Sequence, residues 1–214
     1  MSLTVALSKG KLLPGTEALF RRVGLPFPEG EGRRLVVSMD GLRFLFVKGM
    51  DVPTYVEYGV ADCGIAGRDV LLEVGSDVYE PLDLGFGHCR LVVAQLRGSG
   101  FAYRRASTVR VATKYPRVAS GHFLDRGVSV EVVKLEGSVE IAPGLGLADC
   151  IVDVVESGRT LVENGLEPVE DVATSSARLI VNRASFHARR DDVSRLIETL
   201  RGVGDQGRSK GVDE

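Results

Sequence analysis

An α/β fold in two lobes, each with a mostly parallel sheet and helices on both faces, is what this sequence predicts. Three observations carry the prediction. The first half of the chain repeats a strand, a polar loop and a helix three times, the pattern of a parallel sheet. That rhythm breaks at Asp83–Gly87 (DLGFG) and again at Thr174–Ser176, two places suited to crossings between lobes. The 26 glycines are spread between periodic segments rather than massed in one linker, as many short connections require.

The elements follow in order. Leu3–Leu7 is apolar and reads as a strand, Ser8–Lys11 as a polar loop, and Pro14–Val23 as a helix ended by Gly24. Leu42–Val47 is a second strand. Asp51 then caps a helix with Pro53 in its first turn and Gly59 as its stop. Val60–Ala66 is a third strand, followed by the loop Gly67–Asp69 and the short helix Val70–Val74 before Gly75. Ligands of such sheets collect beyond the carboxyl ends of the strands. Ser8–Lys11, Lys48–Asp51 and Gly67–Asp69 all fall at that edge. Past the first crossing, Cys89–Gln95, Val109–Ala112, Val128–Leu135 and Ala148–Val155 read as strands and Pro116–Arg126 as a helix. Arg178–Asn182 returns as a strand. Asp191 caps a last helix whose Val193, Leu196, Ile197 and Leu200 share one face. The tail from Gly202, GVGDQGRSKGVDE, has little to bury and is expected to be flexible. The expected domains are therefore 1–84 with 178–201, then 88–174, then a tail over 202–214.

Composition narrows the function classes. Lys+Arg 27 against Asp+Glu 29 gives a net charge of −2, with no global pull toward nucleic acid or anionic membrane. No apolar run approaches the ~20 residues that span a bilayer. The opening MSLTVALSKG carries no secretory pattern, so cytoplasmic residence is expected. Cys63, Cys89 and Cys150 are odd in number and far apart, without metal or redox spacing, and are expected as small buried hydrophobes. None of His88, His122 and His187 is assigned as a general base.

The stretch Gly137–Gly165, GSVEIAPGLGLADCIVDVVESGRTLVENG, carries the chemistry. Asp149 and Asp153 interrupt an apolar strand, and at period two they project from one face. Two like charges on a core strand are costly unless they face a ligand. Glu156-Ser157-Gly158-Arg159-Thr160 follows at once as an anion loop. Gly158 allows close backbone approach, Ser157 and Thr160 add hydroxyls, and a helix over Thr160–Asn164 adds its positive end, with Gly165 as its stop. Paired acids beside a phosphate loop suit a sugar phosphate whose hydroxyls need acceptors.

That constellation resembles the ribose-phosphate site of phosphoribosyltransferases. Together with ALSKGKLLPG (Ala6–Gly15), DVPTYVEYGVADCGIAGRDVL (Asp51–Leu71) and ATKYP (Ala112–Pro116), it resembles the ATP phosphoribosyltransferase family over nearly the whole chain, Leu3 to Phe186. The resemblance implies two lobes similar to those of type II periplasmic binding proteins, with the last helix returning to the first lobe. It implies transfer of phosphoribosyl from 5-phosphoribosyl-1-pyrophosphate to N1 of ATP, the first step of histidine biosynthesis, with Mg2+ carried by the substrate.

The resemblance also implies roles for particular residues. Asp149, Asp153, Glu156, Ser157, Gly158, Arg159, Thr160 and Leu161 meet the phosphoribosyl donor. Arg33, or Arg34 beside it, and Lys48 meet the leaving pyrophosphate. Lys9, Lys11 and Asp69 meet ATP, although Asp69 is equally a cap for its short helix. Lys48 departs from the arginine of many relatives, keeping the charge without the planar fork. Lys11 is a milder departure of the same kind. The length fits the short form, which lacks a histidine-binding regulatory domain. Such relatives form homo-oligomers and hetero-oligomers with a regulatory subunit similar to histidyl-tRNA synthetase.

Overall fold

A computed structural model describes residues 3–28, 34–100 and 106–208, and the chain divides into two compact units, Met1–His88 with Ser176–Glu214, and Cys89–Ser175. In the first unit, β1 (Leu3–Ser8) leads to α1 (Leu12–Arg22), and the hairpin β2 (Val36–Met39) and β3 (Leu42–Val47) leads to α2 (Val52–Glu57). Then come β4 (Cys63–Gly67), α3 (Arg68–Val74) and β5 (Tyr79–Asp83). The returning chain adds β11 (Ala177–Val181), α6 (Arg183–Ala188) and α7 (Arg190–Arg208). The strand order is β2-β3-β1-β4-β11-β5. β1 explains why the middle of this sheet reads as unbroken apolar sequence. Its Leu3, Val5 and Leu7 join Phe20, Phe44 and Leu200 on one face, while Ala6 joins Val52, Val56 and Ile180 on the other.

The second unit is built from β6 (Cys89–Leu96), β7 (Thr108–Thr113), α4 (Pro116–Leu124), β8 (Ser129–Lys134), β9 (Cys150–Val155), α5 (Arg159–Glu163) and β10 (Leu166–Ser175). Its order is β10-β6-β9-β7-β8. The predicted parallel character holds for the trios β3-β1-β4 and β9-β7-β8. β2, β5 and β11 in the first sheet, and β6 and β10 in the second, pair antiparallel, so both sheets are mixed.

Several boundaries differ from the sequence expectation. β10 occupies LEPVEDVATS, most of which the sequence reading left unassigned. It is an edge strand with pairing shifts at Pro168/Glu170 and Asp171/Ala173, where proline and charge protect an exposed edge. Gly67 closes β4 and α3 begins at Arg68, so no loop separates them. Asp51 makes no side-chain capping bond; a single 3-10 turn, Gly49–Asp51, precedes α2 instead. Helix α7 begins at Arg190, which leaves Asp191 inside its first turn, and continues to Arg208. Extending a formed helix adds one hydrogen bond per residue fixed, so residues 202–208 stay helical. Residues 209–214 of the expected tail lie outside the described residues.

Asp83, at the end of β5, ties the two crossing segments of the first unit. Its Oδ1 accepts from Gly85 N–H and from the Ser176 hydroxyl, both at 3.0 Å, and its Oδ2 pairs with Arg178 at 3.0 Å. Burial pushes its carboxyl up, but these hydrogen bonds and the Arg178 and His88 charges override it and hold the carboxyl below the ordinary 3.8. A depressed folded value contributes stability that is complete above 3.8 and is lost as pH falls through the folded value. Asp83→Asn is therefore expected to lower the melting temperature at pH 7, and the gap to the parent should shrink progressively below pH 3.8 in melts run down the acid range.

All three cysteines are free; Cys63 and Cys150 are buried and Cys89 is half-buried. Burial pushes both buried thiols up to about 12, with the Asp62 charge adding at Cys63 and the Asp149 charge at Cys150. Both stay protonated and shielded at pH 8. A thiol-reactive dye should label at most Cys89 in the folded protein and all three thiols after denaturation. Among the described residues, no helix is long and apolar enough to cross a membrane.

Candidate active site

Strand β9 carries the two acids, and its length separates them. Asp149 precedes the strand, at its amino end. Its N–H donates to Arg110 O at 2.8 Å, and its Oδ2 accepts from Arg110 N–H at 2.8 Å, so its carboxylate closes the β7–β9 ladder. Asp153 is half-buried, two residues from the carboxyl end. Alternation puts both on the face of Ile151 and Val155, as the spacing predicts. Four residues of extended chain nevertheless span about 13 Å. Asp153 thus stands next to the loop, and Asp149 anchors the opposite end of the strand.

The loop follows β9 directly. Gly158 has φ 76°, and a Cβ there would find only Val155 Cγ1 at 3.9 Å, so conformation rather than space requires glycine. Ser157 Oγ accepts from Arg159 N–H at 3.5 Å. α5 starts at Arg159, one residue before the predicted start, and Gly165 at φ 71° ends it. Glu156, Ser157, Arg159 and Thr160 are exposed, whereas Leu161 is buried beside Ile151 and Val155 and fastens the loop to the core. The loop thus presents hydroxyls on a fixed base.

Thr113, at the carboxyl end of β7, is a neighbour that the sequence reading passed over. It is fully buried, donates its hydroxyl to Val152 O at 2.6 Å and accepts Tyr115 N–H at 2.8 Å. The signal was a hydroxyl inside ATKYP at a strand end. Its partner strand lies 39 residues away and could not be read from sequence.

In the first unit, the predicted residues gather along one sheet edge. Ser8 is level with Val47, and Lys9 N–H donates to Val47 O at 3.0 Å. Leu7 is level with Ile65, which brings the end of β4 and the start of α3 alongside. Lys9, Lys11 and Lys48 are exposed at this edge, with Lys9 Nζ 6.0 Å from the Phe46 ring centre. A Cβ on Gly49 would stand 3.2 Å from Ser8 Oγ, so the loops after β1 and β3 approach closely. Asp69 is buried in the first turn of α3. Arg33 lies outside the described residues. Arg34 is exposed at the same edge, since Phe46 N–H donates to the adjacent Leu35 O at 2.8 Å. The edge is rich in cations that suit polyphosphate.

Comparison with known proteins identifies this arrangement. The family model HisG: ATP phosphoribosyltransferase matches residues 48–202. The ATP phosphoribosyltransferase of Syntrophotalea carbinolica is 47% identical over 207 residues, covering 94% of each chain. That of Sorangium cellulosum is 49% identical over 205 residues, covering 94% of this chain and 95% of the relative. Among solved structures, the ATP phosphoribosyl transferase (HisG:HisZ) complex from Thermotoga maritima aligns with a TM-score of 0.85 at 33% identity, over 95% of this chain and 99% of that one. The periplasmic aliphatic sulphonate binding protein SsuA from Escherichia coli aligns at 0.60 and 13% identity, over 98% of this chain and 70% of that one, a likeness of fold alone.

Proposed function

The chain belongs to the ATP phosphoribosyltransferase (HisG) family, and from that premise we propose how its chemistry is divided between two loop clusters. The enzyme transfers phosphoribosyl from 5-phosphoribosyl-1-pyrophosphate to ATP with release of pyrophosphate, the first step of histidine biosynthesis. The observation that carries the division is the seating of an exposed hydroxyl loop directly after the strand that holds Asp153.

On this reading the second unit binds the donor. The 5′-phosphate rests against Ser157, Gly158, Arg159 and Thr160, while buried Leu161 keeps the loop rigid and the Glu156 side chain points outward. Asp153 accepts from the ribose hydroxyls and lies near the positive charge that grows on the ring as the C1–oxygen bond to pyrophosphate breaks. Asp149 keeps β9 in register rather than touching substrate. The first-unit edge binds polyphosphate: Lys9 and Lys11 meet ATP, and Lys48, with Arg33 or Arg34, meets the departing pyrophosphate. Asp69 meets the adenosine. Adenine N1 already holds its lone pair, so the new C1–N1 bond forms with inversion and without a general base. Orientation supplies much of the acceleration.

On the same reading Mg2+ is carried on the donor's pyrophosphate, where it would neutralise leaving-group charge. Cytoplasmic residence is part of the same reading, as is assembly into homo-oligomers and with a histidyl-tRNA-synthetase-like regulatory subunit. The HisG:HisZ complex of the Thermotoga maritima relative supports that assembly. Pyrophosphate release is the direct test of the activity. It should require ATP and the ribosyl donor together; release that proceeds without ATP would overturn the reading.

A further inference from the structure

Lys114 stands at the same sheet edge as Asp153, and none of the roles above uses it. The parallel pairing of β7 with β9 sets Val111 against Cys150, Ala112 against Ile151 and Thr113 against Val152. Lys114 follows this pairing directly, in the bend after β7, and Asp153 follows Val152 on the neighbouring strand. Ile151 belongs to the core cluster of this unit, so alternation along β9 turns Asp153 toward that same face, at the edge where Lys114 leaves β7.

The backbone on both sides of Lys114 is fixed. The buried Thr113 hydroxyl ties Val152 O at 2.6 Å to Tyr115 N–H at 2.8 Å, Tyr115 is itself buried, and Pro116 opens α4. The half-buried Lys114 side chain, by contrast, makes no ion pair or hydrogen bond among the described residues. A cation carried on so fixed a backbone, at an edge already assigned to a polyanion, is placed for a ligand.

We propose that Lys114 contacts the phosphoribosyl donor, its ammonium on the pyrophosphate oxygens at C1, and that Thr113 positions it. This rests on the donor site proposed above. Topology selects the pyrophosphate over the 5′-phosphate. After the phosphate loop, α5 leads to β10, which lies on the β6 side of β9. Lys114 lies on the β7 side. With the ribose hydroxyls at Asp153 and the 5′-phosphate toward β6, the opposite end of the ring, C1, faces Lys114. Its ammonium stabilises the negative charge that the breaking C1–O bond delivers to the leaving group, and transfers no proton.

Kinetics of Lys114→Met and Lys114→Arg test this, together with calorimetric binding of inorganic pyrophosphate. Lys114→Met should raise the KM for the donor and weaken pyrophosphate binding by roughly tenfold or more each, as loss of one charge-assisted contact does. The KM for ATP should hold, and Lys114→Arg should recover most of the loss. Donor KM and pyrophosphate affinity both within threefold of the parent would overturn the assignment. A rise in ATP KM as large as that for the donor would overturn it too, because it would mark a general structural defect. Asp153→Asn separates the two levels. If it leaves donor KM unchanged, the donor site itself is misplaced; if it is impaired while Lys114→Met is not, only the role of Lys114 fails.

Discussion

Asp153→Asn is expected to lower kcat/KM for the donor by about 100- to 1000-fold, the loss seen when one preorganised electrostatic partner of a transition state is removed. The substitution keeps size and shape and removes the charge. Asp153 is half-buried at the working edge of the sheet, so the melting temperature should move little. Asp149→Ala provides the contrast. It removes the acceptor of Arg110 N–H at the far end of β9 and should cost about 1 kcal/mol of stability while kcat/KM for the donor stays near the parent value. Steady-state kinetics and urea unfolding on the same two preparations decide the matter. A fully active Asp153→Asn, or an Asp149→Ala that is stable but inactive, would reverse the roles given to the two acids.

Those two residues also show where sequence ceases to be sufficient. Period two gives the face of a strand with certainty, and both acids do lie on one face. It does not say how far each is from the strand's end, and the carboxyl end is where ligands bind. That distance depends on where β9 starts, which the apolar run Ala148–Val155 blurs because Ala148 and Asp149 precede the strand.

The central strands were legible for a related reason. β1, β3 and β4 are buried on both faces over most of their length, so their sequences are mainly apolar, with Arg43 of β3 as the exposed exception. β10 is the reverse case: as an edge strand it carries Pro168, Glu170 and Asp171, the residues that discourage pairing. The turn after β9 was legible because its signal is local, five consecutive residues around one left-handed glycine. Thr113 and Lys114 were not, because their meaning comes from the β7–β9 register, a relation between segments far apart in sequence.

The largest effect on stability is expected from Asp62, which no functional argument singles out. It is buried just before β4, and its carboxylate gathers three donors from distant segments: Thr4 N–H at 2.8 Å, the Ser185 hydroxyl at 2.7 Å and Arg189 Nη1 at 3.1 Å. Its backbone continues the tie, with Asn182 N–H donating to Asp62 O at 2.9 Å. Asn182 Nδ2 in turn donates to Val56 O at 2.8 Å, so β1, α2, β4 and α6 meet at this point. Asp62→Ala removes the acceptor of the half-buried Arg189 guanidinium and of two neutral donors and should lower unfolding stability by about 2–4 kcal/mol. That is a large share of the 5–15 kcal/mol a domain typically holds. Asp62 lies at the amino end of β4, whereas Lys9, Lys48 and Asp69 lie at the carboxyl edge. The molecules that remain folded should therefore keep their kcat. A urea midpoint that falls with an unchanged m-value, and normal turnover per folded enzyme, is the expected result. An unchanged midpoint would show that water satisfies the three donors, and that the Asp62 carboxylate is not what fastens these segments together.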